Sequence, residues 1–176
     1  WANPLPKIFV TKEVDIGNEC KLKVTELPDS VLGGRLWPSG ICLAHWFGSG
    51  QYVKDLAESG ITNFKSSKTF EVTKFTSESS VVTKDSGTSL EKFTILEIGA
   101  GVGLPGIAAA KCGAASYVSV TDRADLLALA QQNVELNGVG DVVKVQELDW
   151  FDVARSDVLG DEFDLVIGAD VVYWEE

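Results

Sequence analysis

The chain has 176 residues, of which 45% are hydrophobic and 23% charged, so it is long enough to form one domain with a buried core. Its formal net charge of −11 disfavours a nucleic-acid partner, because such binding depends on neutralising phosphates with basic side chains. The three cysteines lie far apart and there is one histidine, so the sequence predicts no disulfide framework and no metal site, and it favours a reducing compartment.

Residues 1–61 are predicted to form a β-hairpin followed by a helix that leads into the fold. Residues 7–27 contain two stretches rich in Val, Ile, Thr and Phe around the turn-forming string DIGNE, which is typical of a hairpin. Residues 39–60 carry apolar residues at helical spacing, with Ser39 as the expected N-cap and Gly60 at the end.

Residues 62–92 differ in composition from the segments on either side. Ser, Thr and Lys dominate this stretch and no hydrophobic period persists, so we expect a flexible insertion. A short two-strand excursion around the string TFEVTKF is an alternative for part of it.

Residues 93–176 alternate between strand patterns and helix patterns. The predicted strands are 93–99, 117–122, 141–150 and 163–173, and the predicted helices are 104–113 and 123–138. This rhythm predicts an α/β fold with right-handed βαβ units and a mostly parallel sheet.

Acidic residues stand at or near the ends of all four predicted strands: Glu97, Asp122, Asp149 and Asp170. Ligands of parallel α/β sheets bind beyond the carboxyl ends of the strands, so the sequence places these carboxylates along one binding edge. A carboxylate at the position of Asp122 can accept hydrogen bonds from two ribose hydroxyls. It can also cap the helix that follows.

The glycine loop after the first of these strands bears on the class of cofactor. Residues 101–106, GVGLPG, match the G-x-G-x-x-G string of dinucleotide-binding folds, but this match begins two residues late. The string E-x-G-x-G-x-G, formed by Glu97, Gly99, Gly101 and Gly103, fits better. It resembles the first motif of class I methyltransferases that use S-adenosylmethionine. The register therefore disfavours a nicotinamide-dependent dehydrogenase, which stays as an alternative.

Five short pieces together resemble the family 16 protein methyltransferases, which are seven-strand lysine methyltransferases with a D-x-x-Y motif. The pieces are LWPSG, LEIGAGVGLPGI, QNVELNG, LDW and ADVVY, and the resemblance covers residues 31–60 and 93–176. It implies a Rossmann-like class I methyltransferase fold in residues 93–176 with an N-terminal β-hairpin extension. Since the chain reaches only the fourth strand of this core, we expect the last strands to be missing and the natural protein to continue past Glu176.

The resemblance also implies roles for ten residues. Asp170 and Tyr173 would be the catalytic pair, placed where the target lysine meets the methyl group. The cofactor-binding residues would be Trp37 near the methionine end, Glu97, Gly99 and Gly101 in the loop, Asp122 at the ribose, Asp149 and Trp150 at the adenine, and Ala169 through its backbone. A carboxylate near the loop, such as that of Glu97, can pair with the methionyl ammonium.

The function that the resemblance implies is S-adenosylmethionine-dependent N-methylation of a lysine in a protein substrate, by a monomer. Amino-group methylases of nucleic acids typically carry D/N-P-P-Y/F at the fourth strand, whereas residues 170–173 are DVVY. A methyltransferase of a small molecule or nucleic acid, and a non-catalytic S-adenosylmethionine-binding protein, stay as alternatives. No stretch reaches the roughly 20 apolar residues of a membrane span, so we expect no membrane partner and a location in the cytoplasm, with the nucleus second.

Overall fold

The computed structural model describes residues 8–28, 32–59, 92–156, 158 and 160–172. These residues form one two-stranded sheet and one four-stranded sheet, together with α-helices and short 3-10 turns. The predictions made for residues 62–91, including the strand excursion around TFEVTKF, lie outside the described residues, as does Tyr173.

The predicted N-terminal hairpin is confirmed. Strand β1 (Val10–Asp15) pairs antiparallel with β2 (Lys21–Glu26), and the register places Val14 opposite Leu22. One face of the hairpin is apolar and enters the core, because Leu22 is fully buried and Val24 nearly so. The hairpin is therefore part of the main core and not an appendage.

The prediction of one helix over residues 39–60 is wrong. Two helices occupy this region, α1 (Pro38–Gly48) and α2 (Gln51–Glu58), and Gly50 separates them with a φ of +75°. That backbone conformation cannot continue a right-handed helix, and glycine adopts it readily because it has no Cβ. Ser39 is also not the N-cap, since α1 begins one residue earlier with Pro38 and Trp37 takes the cap position.

The predicted parallel sheet is confirmed. It contains β3 (Phe93–Glu97), β4 (Ala115–Asp122), β5 (Val143–Glu147) and β6 (Leu165–Ile167), in the spatial order β5-β4-β3-β6 with all three pairings parallel. Helix α3 (Leu104–Lys111) connects β3 to β4, and α4 (Ala124–Asn137) connects β4 to β5. The described residues contain no helix that is long and apolar enough to span a membrane.

Strand β6 is shorter than the predicted strand over residues 163–173. Its ladder with β3 covers three pairs and ends at Ile167. The chain then leaves the extended conformation, because Asp170 has a φ of +55°. This turn carries Asp170 away from the sheet and toward α1.

Two asparagines on α4 hold the N-terminal hairpin against the parallel sheet. The side chain of Asn133 accepts a hydrogen bond from the Thr25 amide (2.7 Å) and donates to the Thr25 carbonyl (3.0 Å). Asn137 makes the same pair of bonds with the backbone of Lys23, at 3.0 and 2.7 Å. The two side chains are one helical turn apart and act toward β2 as the edge of a neighbouring strand would.

Candidate functional site

The structure brings the predicted acidic residues to the carboxyl edge of the parallel sheet. Glu97 is the last residue of β3 and Asp122 the last residue of β4. Asp149 follows the end of β5 by two residues, and Asp170 follows the end of β6 by three. Among the described residues, no group of three or more His, Cys, Asp or Glu side chains is placed to hold a metal ion.

The glycine loop between β3 and α3 needs glycine because its backbone is left-handed and tightly covered. Gly99 and Gly101 have φ values of +58° and +56°, where other residues are strained. A Cβ at Gly101 would lie 2.6 Å from the Gly33 carbonyl oxygen, and one at Gly99 would lie 3.0 Å from the Trp150 ring. The chain itself therefore occupies the space beside both glycines.

Asp122 fixes the glycine loop to the end of β4. Its Oδ2 accepts a hydrogen bond from the Gly101 amide (2.7 Å), and its Oδ1 accepts one from the Arg123 amide (2.7 Å). Burial raises the pKa of the Asp122 carboxyl above its ordinary value, although both amide donors oppose this rise. The N-cap of α4 is Arg123 and it makes no side-chain cap bond, so Asp122 is not the N-cap of that helix.

Glu97 lies beneath helix α3 and is 2% exposed. Its Oε2 accepts a hydrogen bond from the Gly106 amide at 2.9 Å, which ties the first turn of α3 to β3. Burial raises the pKa of the Glu97 carboxyl to about 8, and the nearby charge of Asp122 adds to the rise. Glu97 thus has a partner within the chain, and its pairing with a cofactor ammonium stays a prediction.

The LDW segment after β5 brings an aromatic ring to the glycine loop. Trp150 is 44% exposed, and its ring lies against Gly99. Asp149 is half-buried, and its Oδ1 accepts a hydrogen bond from the Phe151 amide at 2.9 Å, which fixes the turn. Both residues adjoin the predicted cofactor edge, and their contacts with an adenine stay predictions.

Asp170 lies exposed beyond β6 and accepts a hydrogen bond at Oδ2 from the Ser39 hydroxyl of α1. The residue after it, Val171, is close to the glycine loop, since a Cβ at Gly99 would lie 3.1 Å from Val171 Cγ1. Ala169, before it, is half-buried in the same bend. This bend and the glycine loop are therefore direct neighbours.

Trp37 caps the end of α1 from which Ser39 projects, and it is 39% exposed. The structure thus places an aromatic side chain at the end of α1 that adjoins Asp170. The contact of Trp37 with the methionine end of a cofactor stays a prediction.

Sequence reasoning missed two residues that organise the site. The first is Ser39, which lies in the piece LWPSG and whose residue type and position predict only a helix cap. The second is Asn133, whose Nδ2 also donates to the Val102 carbonyl of the glycine loop at 2.9 Å. Its signal was available, because the buried positions of α4 are Leu126, Leu129, Ala130, Asn133, Val134 and Asn137. A polar residue inside an apolar stripe requires hydrogen-bond partners.

A protein-family model described as "Lysine methyltransferase" matches residues 17–176. The chain belongs to this lysine methyltransferase family. Membership accounts for the Rossmann-like parallel sheet, and it implies a methyl donor of the S-adenosylmethionine type.

The chain is similar to several named proteins. The protein N-lysine methyltransferase METTL21A of Mus musculus is 44% identical over 84 residues, which cover 46% of this chain and 37% of the relative. The protein-lysine N-methyltransferase EEF2KMT of Mus musculus is 38% identical over 95 residues, 47% of this chain and 28% of the relative. The histone-arginine methyltransferase METTL23 of Rattus norvegicus is 36% identical over 85 residues, 47% of this chain and 36% of the relative. The matches thus span less than two fifths of each of these relatives.

Proposed function

We propose that this protein transfers a methyl group from S-adenosylmethionine to the side-chain nitrogen of a lysine in a protein substrate. The main support for the proposal is that the segments at the carboxyl edge of the parallel sheet contact one another, in a chain that belongs to the lysine methyltransferase family. Asp122 is bonded to the glycine loop, and the loop contacts both Trp150 and the Asp170 bend. The proposed nucleoside site and the proposed site for a cationic side chain therefore adjoin each other.

The residues at this edge fit an S-adenosylmethionine-type cofactor. Each oxygen of the Asp122 carboxylate accepts one amide bond, and each has a second lone pair for the ribose hydroxyls. The exposed ring of Trp150 offers an apolar surface for a base, and it lies beside the glycine loop. When bound, the sulfonium of this cofactor supplies an electrophilic methyl group.

Asp170 would receive the target lysine as an ammonium ion. Its carboxylate is exposed, so a substrate side chain can reach it, and the Ser39 bond restrains its direction. Free lysine has a pKa near 10.4, so the ammonium must lose a proton before its nitrogen can attack. We assign no general base. Holding the nitrogen in line with the methyl group is worth roughly 7–11 kcal/mol in well-oriented systems.

Tyr173 completes the D-x-x-Y motif with Asp170. We propose that its side chain helps to orient the same amine. This role is an inference from the resemblance, because Tyr173 lies outside the residues that the structure describes.

Arginine is a second candidate target, because one relative carries the name histone-arginine methyltransferase. A guanidinium ion can bind a carboxylate through two parallel hydrogen bonds, and an exposed Asp170 is compatible with that geometry. Arginine does not lose its proton in proteins under ordinary conditions, so its methylation would require a different activation of the nitrogen.

The experiment uses the protein with its natural termini, a cell extract and S-adenosylmethionine labelled on the methyl group. Labelled protein bands are digested, and mass spectrometry identifies the modified residue. We expect methyl-lysine. Methyl-arginine would support the second candidate, and label in nucleic acid or small molecules would overturn both. Cofactor binding without transfer to any acceptor would indicate a non-catalytic binding protein.

Variants separate cofactor binding from transfer. Asp170→Asn and Tyr173→Phe should lose transfer while the calorimetric affinity for S-adenosylmethionine stays within about threefold, because neither side chain is assigned to the cofactor. Asp141→Asn, an exposed carboxylate before β5, is the matched control and should leave both measurements unchanged. Full transfer in both test variants would contradict the assignment of the pair.

We also propose that the protein is a monomer that works in the cytoplasm, with the nucleus as a second location. Light scattering after size-exclusion chromatography tests the monomer. Imaging of the tagged protein with its natural termini tests the location.

A further inference from the structure

The Ser39 hydroxyl donates a hydrogen bond to Oδ2 of Asp170, across 131 positions of sequence. Ser39 lies in the first turn of α1, and Asp170 lies in the bend after β6. This bond joins the N-terminal part of the chain to the proposed substrate carboxylate. The N-cap position of α1 is taken by Trp37 and not by Ser39.

Asp170 is held in a conformation that needs support. Its φ of +55° is unusual for a residue with a side chain, and the carboxylate is exposed to solvent. A carboxylate on such a bend would rotate freely without a partner. The hydroxyl bond engages Oδ2, and the lone pairs of Oδ1 can still accept hydrogen bonds from a cationic substrate.

The element that carries Ser39 is well anchored. Ala44 and Phe47 of α1 are buried in the core, and the Trp46 indole donates to Asp55 of α2 at 2.7 Å. Gly48 lies so close to the hairpin that a Cβ there would come within 1.9 Å of the Ile16 carbonyl oxygen. Helix α1 is therefore a firmly packed support from which the Ser39 hydroxyl can restrain the Asp170 side chain.

We infer that Ser39 is a positioning residue for Asp170, which directs the carboxylate toward the incoming amine. The inference rests on the proposed function, in which Asp170 receives the target side chain. Ser39 itself does not touch the reacting atoms in this proposal. It acts through the direction of the Asp170 carboxylate and through the stability of the bend.

The test compares Ser39→Ala, which removes the hydroxyl, with Ser39→Thr, which retains it. Ser116→Ala is the matched control, because Ser116 is exposed at the opposite end of β4 and bonds only backbone carbonyls in the described structure. We expect Ser39→Ala to lower kcat about tenfold, as the loss of one hydrogen bond to a charged group predicts, while the KM for S-adenosylmethionine stays within about twofold. Ser39→Thr and Ser116→Ala should both keep wild-type kcat.

A second measurement does not depend on activity. Amide hydrogen exchange over residues 168–172, followed by mass spectrometry, should become about tenfold faster in Ser39→Ala and stay unchanged in Ser39→Thr. Thermal unfolding of each variant verifies that it folds. If the wild-type protein transfers no methyl group, the proposed function fails and the exchange comparison still decides whether Ser39 restrains the bend. Unchanged exchange in Ser39→Ala, or equal losses in the alanine and threonine variants, would overturn the inference.

Discussion

Replacing Asn133 with leucine should destabilise the protein strongly, although the two side chains have the same number of heavy atoms and the same branching. Asn133 is fully buried and makes three hydrogen bonds to backbone groups, one from the Thr25 amide, one to the Thr25 carbonyl and one to the Val102 carbonyl. Leucine satisfies none of these groups. Each of the three unsatisfied buried groups costs about 1–3 kcal/mol, so we expect a loss of about 3–9 kcal/mol in the free energy of unfolding.

The assay is urea unfolding, monitored by tryptophan fluorescence and by far-UV circular dichroism. Gln132→Leu is the matched control, because Gln132 is the exposed neighbour on the same helix and leucine suits a helix equally well. Hydrogen exchange locates the loss, which should concentrate in residues 21–26 and in the glycine loop. A loss below about 1 kcal/mol, or one equal to that of Gln132→Leu, would refute the reasoning that these bonds hold the hairpin.

Three further predictions concern the glycine loop and the carboxylates around it. Gly101→Ala should lower the free energy of unfolding by about 2–4 kcal/mol, because the backbone there is left-handed and the new methyl group would clash with the Gly33 carbonyl. The control is Gly138→Ala, where φ is +65° and the space around the residue is open, and it should lose only about 1–2 kcal/mol. Equal losses by urea unfolding would show that the contact with Gly33 has no energetic effect. Glu97 binds its proton more tightly in the folded state, with a pKa of about 8 against 4.5, so wild-type stability should fall as the pH rises from 4.5 to 8, by about 5 kcal/mol in total. Glu97→Gln removes the titrating group and should flatten the curve of stability against pH over this window. If the wild-type and Glu97→Gln curves run parallel, Glu97 does not hold a proton in the folded state. Asp122→Asn should lose about 1–2 kcal/mol in stability before any cofactor is added, since one of two amide donors would then face an NH₂ group, and an unchanged melting temperature would disprove this.

The order of strands and helices in residues 93–172 follows from the sequence because each signal is local. Pro105 and Gly138 mark a helix start and a helix end through their own backbone preferences. The alternation of apolar strands with helices then leaves few topologies, and the placement of Glu97 and Asp122 at one edge follows from parallel pairing alone. These inferences need no knowledge of distant contacts.

The break between α1 and α2 was not predicted, because the apolar spacing of residues 39–60 continues across it. Gly50 weakens a helix in any sequence, but its left-handed conformation is seen only in the folded chain, where Gly48 of α1 lies against Ile16 of the hairpin. The early end of β6 also does not follow from the sequence, because residues 168–172 contain enough apolar residues to continue a strand. The bond between Ser39 and Asp170 and the turn at Asp170 prevail over that pattern.

The side chains that join distant segments are the hardest to predict from sequence. Glu97 is a residue type expected of a cofactor ligand, yet its Oε2 accepts a hydrogen bond from the Gly106 amide within the same βα unit. Ser39 is a residue type expected of a helix cap, yet its hydroxyl donates a hydrogen bond to Asp170, 131 positions away. In each case the residue type is compatible with several partners, and only the tertiary structure selects one.

The bonds between α4 and the hairpin also bear on the order in which the protein folds. Thr25 and Asn133 are 108 positions apart, so their pairing closes a long stretch of chain and comes at a large entropic cost. Asn133 and Asn137 can bond β2 together only when they lie on one face of α4, and that face exists only once α4 is helical. We therefore expect the βαβ core to form first and the hairpin, although it precedes this core in the sequence, to dock late.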